Sequence, residues 1–399
     1  MFPVMPGAPG RQRWGRRRRL LLVAGAAGVL LAGGTLAGFV VAGGDEPTGR
    51  RADFAVSASP PAWTVRAADR LTSGTGLRYD GTMTIGGRTV RVNLRLTPSG
   101  MATGALTAGA LRADVVAIDG DTYIKAGPAF WRSYVPDVPK IEYYAGRWSK
   151  APASLPGFDV PDVLGPASIA RMLEKAPASP PRENVNGVPA FKVTARGAEY
   201  LMAAEPPHRL LSVRAGGPNA PALTAAPVAA PATLFAELRS RVAGLGGAAD
   251  PRLRFRPGAL RFGACDKNPN GCTVTVPATL TAPAGSVPEG ARAALRATIS
   301  SRGARLGSCT ASEPVPEGRS LTLRCTVVDR DWRDWIRHAL DNPGSYPYEA
   351  TAHVVGEAVA RDAVPGLLAR VDRERDTVMN RAVDEQPPQV ATSGSPATP

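Results

Sequence analysis

Histidine is scarce in this 399-residue chain, and the scarcity removes most of the usual side-chain chemistry. His208, His338 and His353 are the full supply. A nucleophile–base–acid triad places a histidine between two partners. His208 follows Pro206-Pro207 at the head of a strand pattern. His338 shares a helical face with Trp332 and Trp335, and His353 falls within another strand pattern. Each reads as a structural residue. G-x-S-x-G, H-E-x-x-H, Walker A and EF-hand spacings are absent. Glu313, Glu317 and the run Asp329-Arg330-Asp331 read as solvated turn residues. The expectation is a protein that is not an enzyme and holds no cofactor or metal.

Cysteine is nearly as rare. Cys265, Cys272, Cys309 and Cys325 are the four, and none precedes them. A lipid-modified cysteine near the N-terminus is therefore excluded. An even number in an exported chain reads as two disulfides, for which the sequence permits three pairings. Cys265 with Cys272 would close a loop of turn formers, Asp266 to Gly271, and Cys309 with Cys325 would then tie neighbouring strands. Zinc is the weaker alternative, because no C-x-x-C spacing occurs and histidines are few.

Charge is missing from Leu20 to Gly44, directly after Arg16, Arg17, Arg18 and Arg19. About 20 apolar residues cross a bilayer core. Arginine is retained on the cytoplasmic side, so the bulk of the chain is expected outside the cell membrane on a single-pass anchor. A signal peptide cut after Ala42 is the alternative, but the apolar core is longer than such signals use. Arg18-Arg19 is read as part of the positive-inside cluster rather than as a twin-arginine signal. Gly34 and Gly38 form a G-x-x-x-G pair in a stretch so rich in small residues that chance explains it.

Net charge is +14. Removing the six arginines at positions 11 to 19 leaves +8 over a long ectodomain, without a dense basic stripe. Nucleic acid is not an expected partner. Anionic phospholipid or wall polymer fits an exported basic surface, and a general bias towards arginine fits equally well.

The remaining pattern is mainly β with α, an α+β class. After a linker ending in Ser59-Pro60-Pro61, Trp63 to Leu71 predicts a short helix. Tyr79 to Ile85, Thr89 to Thr97, Ala102 to Leu106, Leu111 to Ile118 and Thr122 to Lys125 predict an antiparallel meander, with Gly86-Gly87 as a hairpin turn. Val163, Leu164, Ile169, Met172 and Leu173 recur at helical spacing around Pro166. Pro189 to Ala195 and Arg209 to Ala215 resume strands. Ala220 to Pro231 reads as an Ala/Pro linker, followed by a connecting helix over Leu234 to Leu245. Beyond it, Thr273 to Leu280, Ala294 to Ser300, Leu321 to Val328 and Tyr348 to Val359 predict strands. Pro277 marks the first of these as an edge strand or a bulge. Asp331 to Leu340 and Val364 to Arg373 predict helices.

Several segments fall in a familiar order. They are Tyr79-Asp80-Gly81-Thr82, the strand Val90 to Leu96, Asp121-Thr122-Tyr123-Ile124-Lys125, Phe130-Trp131, Trp148, Asn186 to Val193, and Pro207-His208-Arg209-Leu210-Leu211. Over residues 63–216 the chain resembles LolA-like exported proteins, especially actinobacterial envelope lipoproteins that carry acylated lipids. The resemblance implies a curved antiparallel sheet over helices, with an apolar cavity between, and carriage of a lipid or acylated glycolipid without catalytic residues. The expected organisation is a cytoplasmic arm (1–19), an anchor (20–44), a linker (45–61), a LolA-like domain (62–219), an Ala/Pro linker with a helix (220–254), a disulfide-bearing β-rich domain (255–376) and a disordered tail (377–399). Val90, Val92, Leu94, Leu96, Val116, Ile118, Ile169, Met172 and Leu173 are the candidate lining of an apolar cavity; direct packing of the strand residues onto the helix fits the same pattern. The expected function is a membrane-anchored binding protein for a lipid or other apolar ligand. The alternative is an envelope scaffold or sensor that engages a protein partner through the second domain.

Overall fold

The computed structural model describes residues 60–384 apart from Gly86, Asp137, Pro139 and positions 153–154, 156–158 and 216–221. The expected cytoplasmic arm, the expected anchor, nearly all of the expected first linker, Gly86 of the hairpin turn and the expected tail from 385 onward lie outside the described residues. Among the described residues, no helix is long and apolar enough to cross a membrane.

Helix α1 (Ala62–Ser73) buries Trp63, Ala67 and Leu71, spaced four apart on one face. The meander follows as β1 (Leu77–Ile85), β2 (Arg88–Leu96), β3 (Ala102–Ala108), β4 (Leu111–Ile118) and β5 (Asp121–Ala126). In β2 the alternation is clean: Val90, Val92, Leu94 and Leu96 are buried, while Arg91 and Asn93 are exposed. Next come α2 (Pro128–Tyr134), β6 (Trp148–Lys150), α3 (Val160–Val163), α4 (Pro166–Leu173), β7 (Arg182–Val185), β8 (Val188–Ala195), β9 (Ala198–Ala203), β10 (Leu210–Ala215) and β11 (Ala222–Pro227).

The expected Ala/Pro linker is a strand. β11 pairs with β1, Leu77 opposite Pro227 and Gly81 opposite Leu223, and with β10 on its other side. Alanine is a poor strand former by propensity, and pairing on both sides overrides that preference. Gly81 is required at this contact. A Cβ there would come 2.1 Å from the Ala222 carbonyl oxygen.

The chain continues through α5 (Pro231–Ala243), β12 (Ala248–Ala249), β13 (Arg254–Pro257), β14 (Arg261–Gly263), β15 (Cys272–Ala282), β16 (Arg292–Ser301), β17 (Ala304–Pro314), β18 (Ser320–Val327), α6 (Arg330–Asp341), β19 (Glu349–Val359) and α7 (Val364–Asp384). One sheet runs in the order β17-β16-β19-β12-β6-β5-β4-β3-β2-β1-β11-β10-β9-β8-β7. A second sheet has β15 at its centre, with β13 and β14 on one side and β18 on the other.

β15 is therefore not an edge strand, despite Pro277. The Gly258 amide donates to the Pro277 carbonyl at 2.7 Å, so the missing Pro277 N–H faces the break between β13 and β14. No ladder bond is lost there. The disulfides are Cys265–Cys272 and Cys309–Cys325, and the second links β17 of one sheet to β18 of the other.

Three apolar clusters hold these layers. The first lies between α1, α2, α3, α4 and one face of the strands from β1 to β10. The second fills the space between the two sheets beneath α6, with Val274, Leu295, Leu323 and Trp332 among its members. The third packs α5 and α7 against the opposite face of the meander. Helix α7 outruns the expected end at Arg373. Val378 is buried, Ser99 N donates to Glu374 at 2.8 Å, and Arg370 pairs with Asp119. The tail expected from 377 is therefore helical as far as Asp384, and Leu367, Val371 and Val378 form its buried stripe across the charged run 372–376.

Candidate functional site

Seven of the nine candidate lining residues converge. Val90, Val92, Leu94, Leu96, Ile169 and Leu173 belong to the first cluster, and Met172 packs against it. Val116 and Ile118 do not join them. They face the third cluster, beside Phe235 and Leu238 of α5. Both faces of β4 are covered, so alternation along it assigns residues to two cores rather than to core and water.

The space beneath the sheet is filled in this conformation. A side chain bordering a void that admits water keeps accessible surface towards it. Val90, Leu94, Leu96 and Leu173 keep none. Two buried phenols hold α3 in place: Tyr79 Oη donates to Leu164 O at 2.8 Å, and Tyr200 Oη donates to Val163 O at 3.0 Å. These bonds satisfy carbonyls that a helix end would otherwise leave unpaired. Burial pushes both phenols above the ordinary tyrosine range.

Met172 alone of the candidates borders open space. A groove of about 860 Å³ runs between the end of α4 and β8, lined by Met172, Val193 and Ala195 together with Arg171, Lys175 and Lys192. Asp162, Glu174 and Arg196 also line it, so its rim carries both signs of charge, and it lies directly beside the closed cluster.

A second exposed surface lies on the disulfide-bearing half. The spacing Trp332-x-x-Trp335-x-x-His338 places these rings along α6. Trp332 is fully buried, whereas Trp335 is half-exposed. Tyr348 stands edge-on to Trp332, Trp335 and Phe262, with centroids 5.8, 5.7 and 5.0 Å away. Tyr346 meets Trp335 and His338 edge-on. Edge-to-face geometry fixes such rings relative to one another. Tyr348 Oη donates to Asp266 Oδ1 at 2.6 Å, and burial together with this bond pushes its pKa up to about 12. Phe262 is 41% exposed and Leu340 47% exposed. Periodicity reveals the α6 rings, but Phe262, Tyr346 and Tyr348 arrive from distant loops and strands without a local signal.

The histidines are dispersed. His208 is buried rather than at the surface, with Nδ1 3.1 Å from Ala203 O and its ring beside Trp63 and Phe191. His353 meets the Tyr143 ring at a tilt, with centroids 4.5 Å apart, and burial lowers its pKa. Asp329 accepts from the Ser308 amide at 2.6 Å, a structural role. Among the described residues, no group of His, Cys, Asp and Glu could hold a metal ion.

No protein-family model and no curated protein matches this chain. Among solved structures it is similar to the crystal structure of MucB, with 14% identity over 67% of this chain and 92% of that one. The TM-score is 0.23, too low for that likeness to carry an argument. The functional reading rests on the residues described above.

Proposed function

We propose that this chain is a membrane-anchored, extracytoplasmic and non-catalytic binding protein with a LolA-like first half, and that it engages an envelope protein through the aromatic surface of its second half. The observation that carries this reading is the half-exposed group of Phe262, Trp335, Tyr346 and Tyr348, with Leu340 exposed on the same helix as Trp335. Aromatic residues fixed in place and partly open to water are the usual anchors of protein interfaces. The filled core beneath the first sheet fits a module that works without a resident ligand. The partner segment should carry apolar side chains that pack across the outer edges of Trp335 and Tyr346 and onto Leu340. A photo-crosslinking residue at Leu340 of the full chain should give one discrete protein adduct in cells. Trp335→Ala should abolish that adduct, and equal labelling from the exposed Val65 would overturn the reading.

A second reading has one observation of its own. Met172 lies on the floor of the 860 Å³ groove and also packs against the first core. A lipid or acylated glycolipid could enter there by displacing α4, with its acyl chain replacing the contacts of Ile169 and Leu173. Native mass spectrometry of the full chain tests it: a lipid adduct lost in Met172→Glu supports this reading, and an unadducted mass excludes it.

A further inference from the structure

A cluster of arginines stands where the long sheet passes from β6 and β12 into β19, β16 and β17. Along β16, Ala293, Leu295, Ala297 and Ile299 enter the core. Arg292, Ala294 and Arg296 therefore stand on the other face. Thr310 and Ser312 of β17 oppose Arg296 and Ala294, and Glu357 of β19 opposes Arg292. Arg147 and Arg361 reach the same space from the segment before β6 and the turn before α7. Together these groups border an open cleft of about 320 Å³.

The charges there do not balance. Arg292 is committed to Glu357 at 3.4 Å, and Glu357 also accepts from Ser312 Oγ. Arg296 is half-buried and donates to Tyr143 O at 3.3 Å and Gly247 O at 2.8 Å. Those carbonyls fix its guanidinium without neutralising it. Burial, then Arg147 and Arg361, push its pKa down to about 10 against the pull of Glu357. Arg147, Arg296 and Arg361 form no ion pair among the described residues. Asp362 also borders the cleft. Four arginines against Glu357 and Asp362 leave an excess of two positive charges, the complement of a dianion.

We propose that this cleft is an anion site for a phosphoryl group, with Arg296 as its fixed base and Arg147 and Arg361 as its outer clamps. Guanidinium groups converging from separate elements suit a tetrahedral oxyanion, because each presents paired donors in a fixed plane. The hydroxyl of Thr310 adds a neutral donor on the same face. None of these residues belongs to the aromatic surface, so the two assignments stand or fall separately.

Calorimetric titration of the full chain tests the site, with inorganic phosphate as one probe and dihexanoyl phosphatidic acid as the other. Saturable binding that weakens with added salt is expected. Arg296→Gln, and separately Arg147→Gln, should each weaken it roughly tenfold. Arg147 is exposed, so its variant keeps the fold whatever happens at Arg296. Tighter binding of the lipid probe would identify a phospholipid headgroup as the source, and equal binding a soluble phosphate. The proposal fails if neither probe binds at millimolar concentration, or if both substitutions leave the affinity unchanged.

Discussion

Ser149 and Ala249 face each other across the one parallel register among the described strands. That pairing joins β6 to β12 and carries the sheet from the first half of the chain into the second. Ser149 is fully buried, and its hydroxyl has no hydrogen-bond partner among the described residues. On the far side of β12, Asp250 N donates to Gly356 O at 2.8 Å, and a Cβ at Gly356 would come 2.5 Å from Asp250 O.

This joint predicts coupled unfolding. Wild-type protein should lose both halves in one transition, followed by tryptophan fluorescence and by far-ultraviolet circular dichroism in urea. Gly356→Val should wedge β19 away from the segment after β12 and separate the transition into two. Two transitions in the wild type would show that the joint does not couple the halves.

A filled first core makes Leu94 sensitive to truncation. Leu94→Ala should destabilise the protein by roughly 2–5 kcal/mol, the range for a leucine removed from a close-packed interior. A loss below about 1 kcal/mol would indicate a site that already borders empty space. Urea denaturation of the variant decides between them.

The Cys309–Cys325 bridge closes a loop with a sequence separation of 16. Constraining a loop of that length stabilises a fold by about 3 kcal/mol through the unfolded chain. Cys309→Ser with Cys325→Ser should lower the melting temperature by several degrees. The corresponding pair at Cys265 and Cys272 should have a smaller effect, because its separation is 7. Scanning calorimetry of the two double variants ranks them.

Arg214 should make the outer strands acid-sensitive. It is buried, donates to Glu183 at 2.7 and 2.8 Å, and donates to Glu199 at 2.8 Å. Its hydrogen bond holds the Glu183 carboxyl below the 4.5 of a free glutamate. A carboxylate with a depressed folded pKa contributes stability that is complete above its unfolded value and is lost as pH falls through the folded one. Arg214→Met should flatten the stability profile below pH 4.5 while changing it little in slope above. Chemical denaturation at a series of acidic pH values would show an unchanged slope if the pairing had no such role.

Much of the local structure was legible. β2 declared itself by alternation, α6 by its tryptophan spacing, and α4 by Pro166 at its first turn. The misread segments share a cause. β11 is alanine-rich and gains its identity from strands on both sides. β15 keeps a proline because a break in the neighbouring strand receives it. Val116 and Ile118 were grouped with the first core because the second covering layer, α5 and α7, arrives from more than a hundred residues away.

The sequence by itself determined the α+β class and the position of the meander, because these depend on neighbours within a turn or a strand, and the cysteine and histidine counts, because these are composition. Tertiary structure alone decided that α7 runs past Arg373 to pack on the meander, that Tyr346 and Tyr348 meet the α6 tryptophans while Phe262 meets Tyr348, and that Arg147, Arg296 and Arg361 share one cleft. Those outcomes require long-range contacts, and periodicity carries no information about which distant surface will cover a given face.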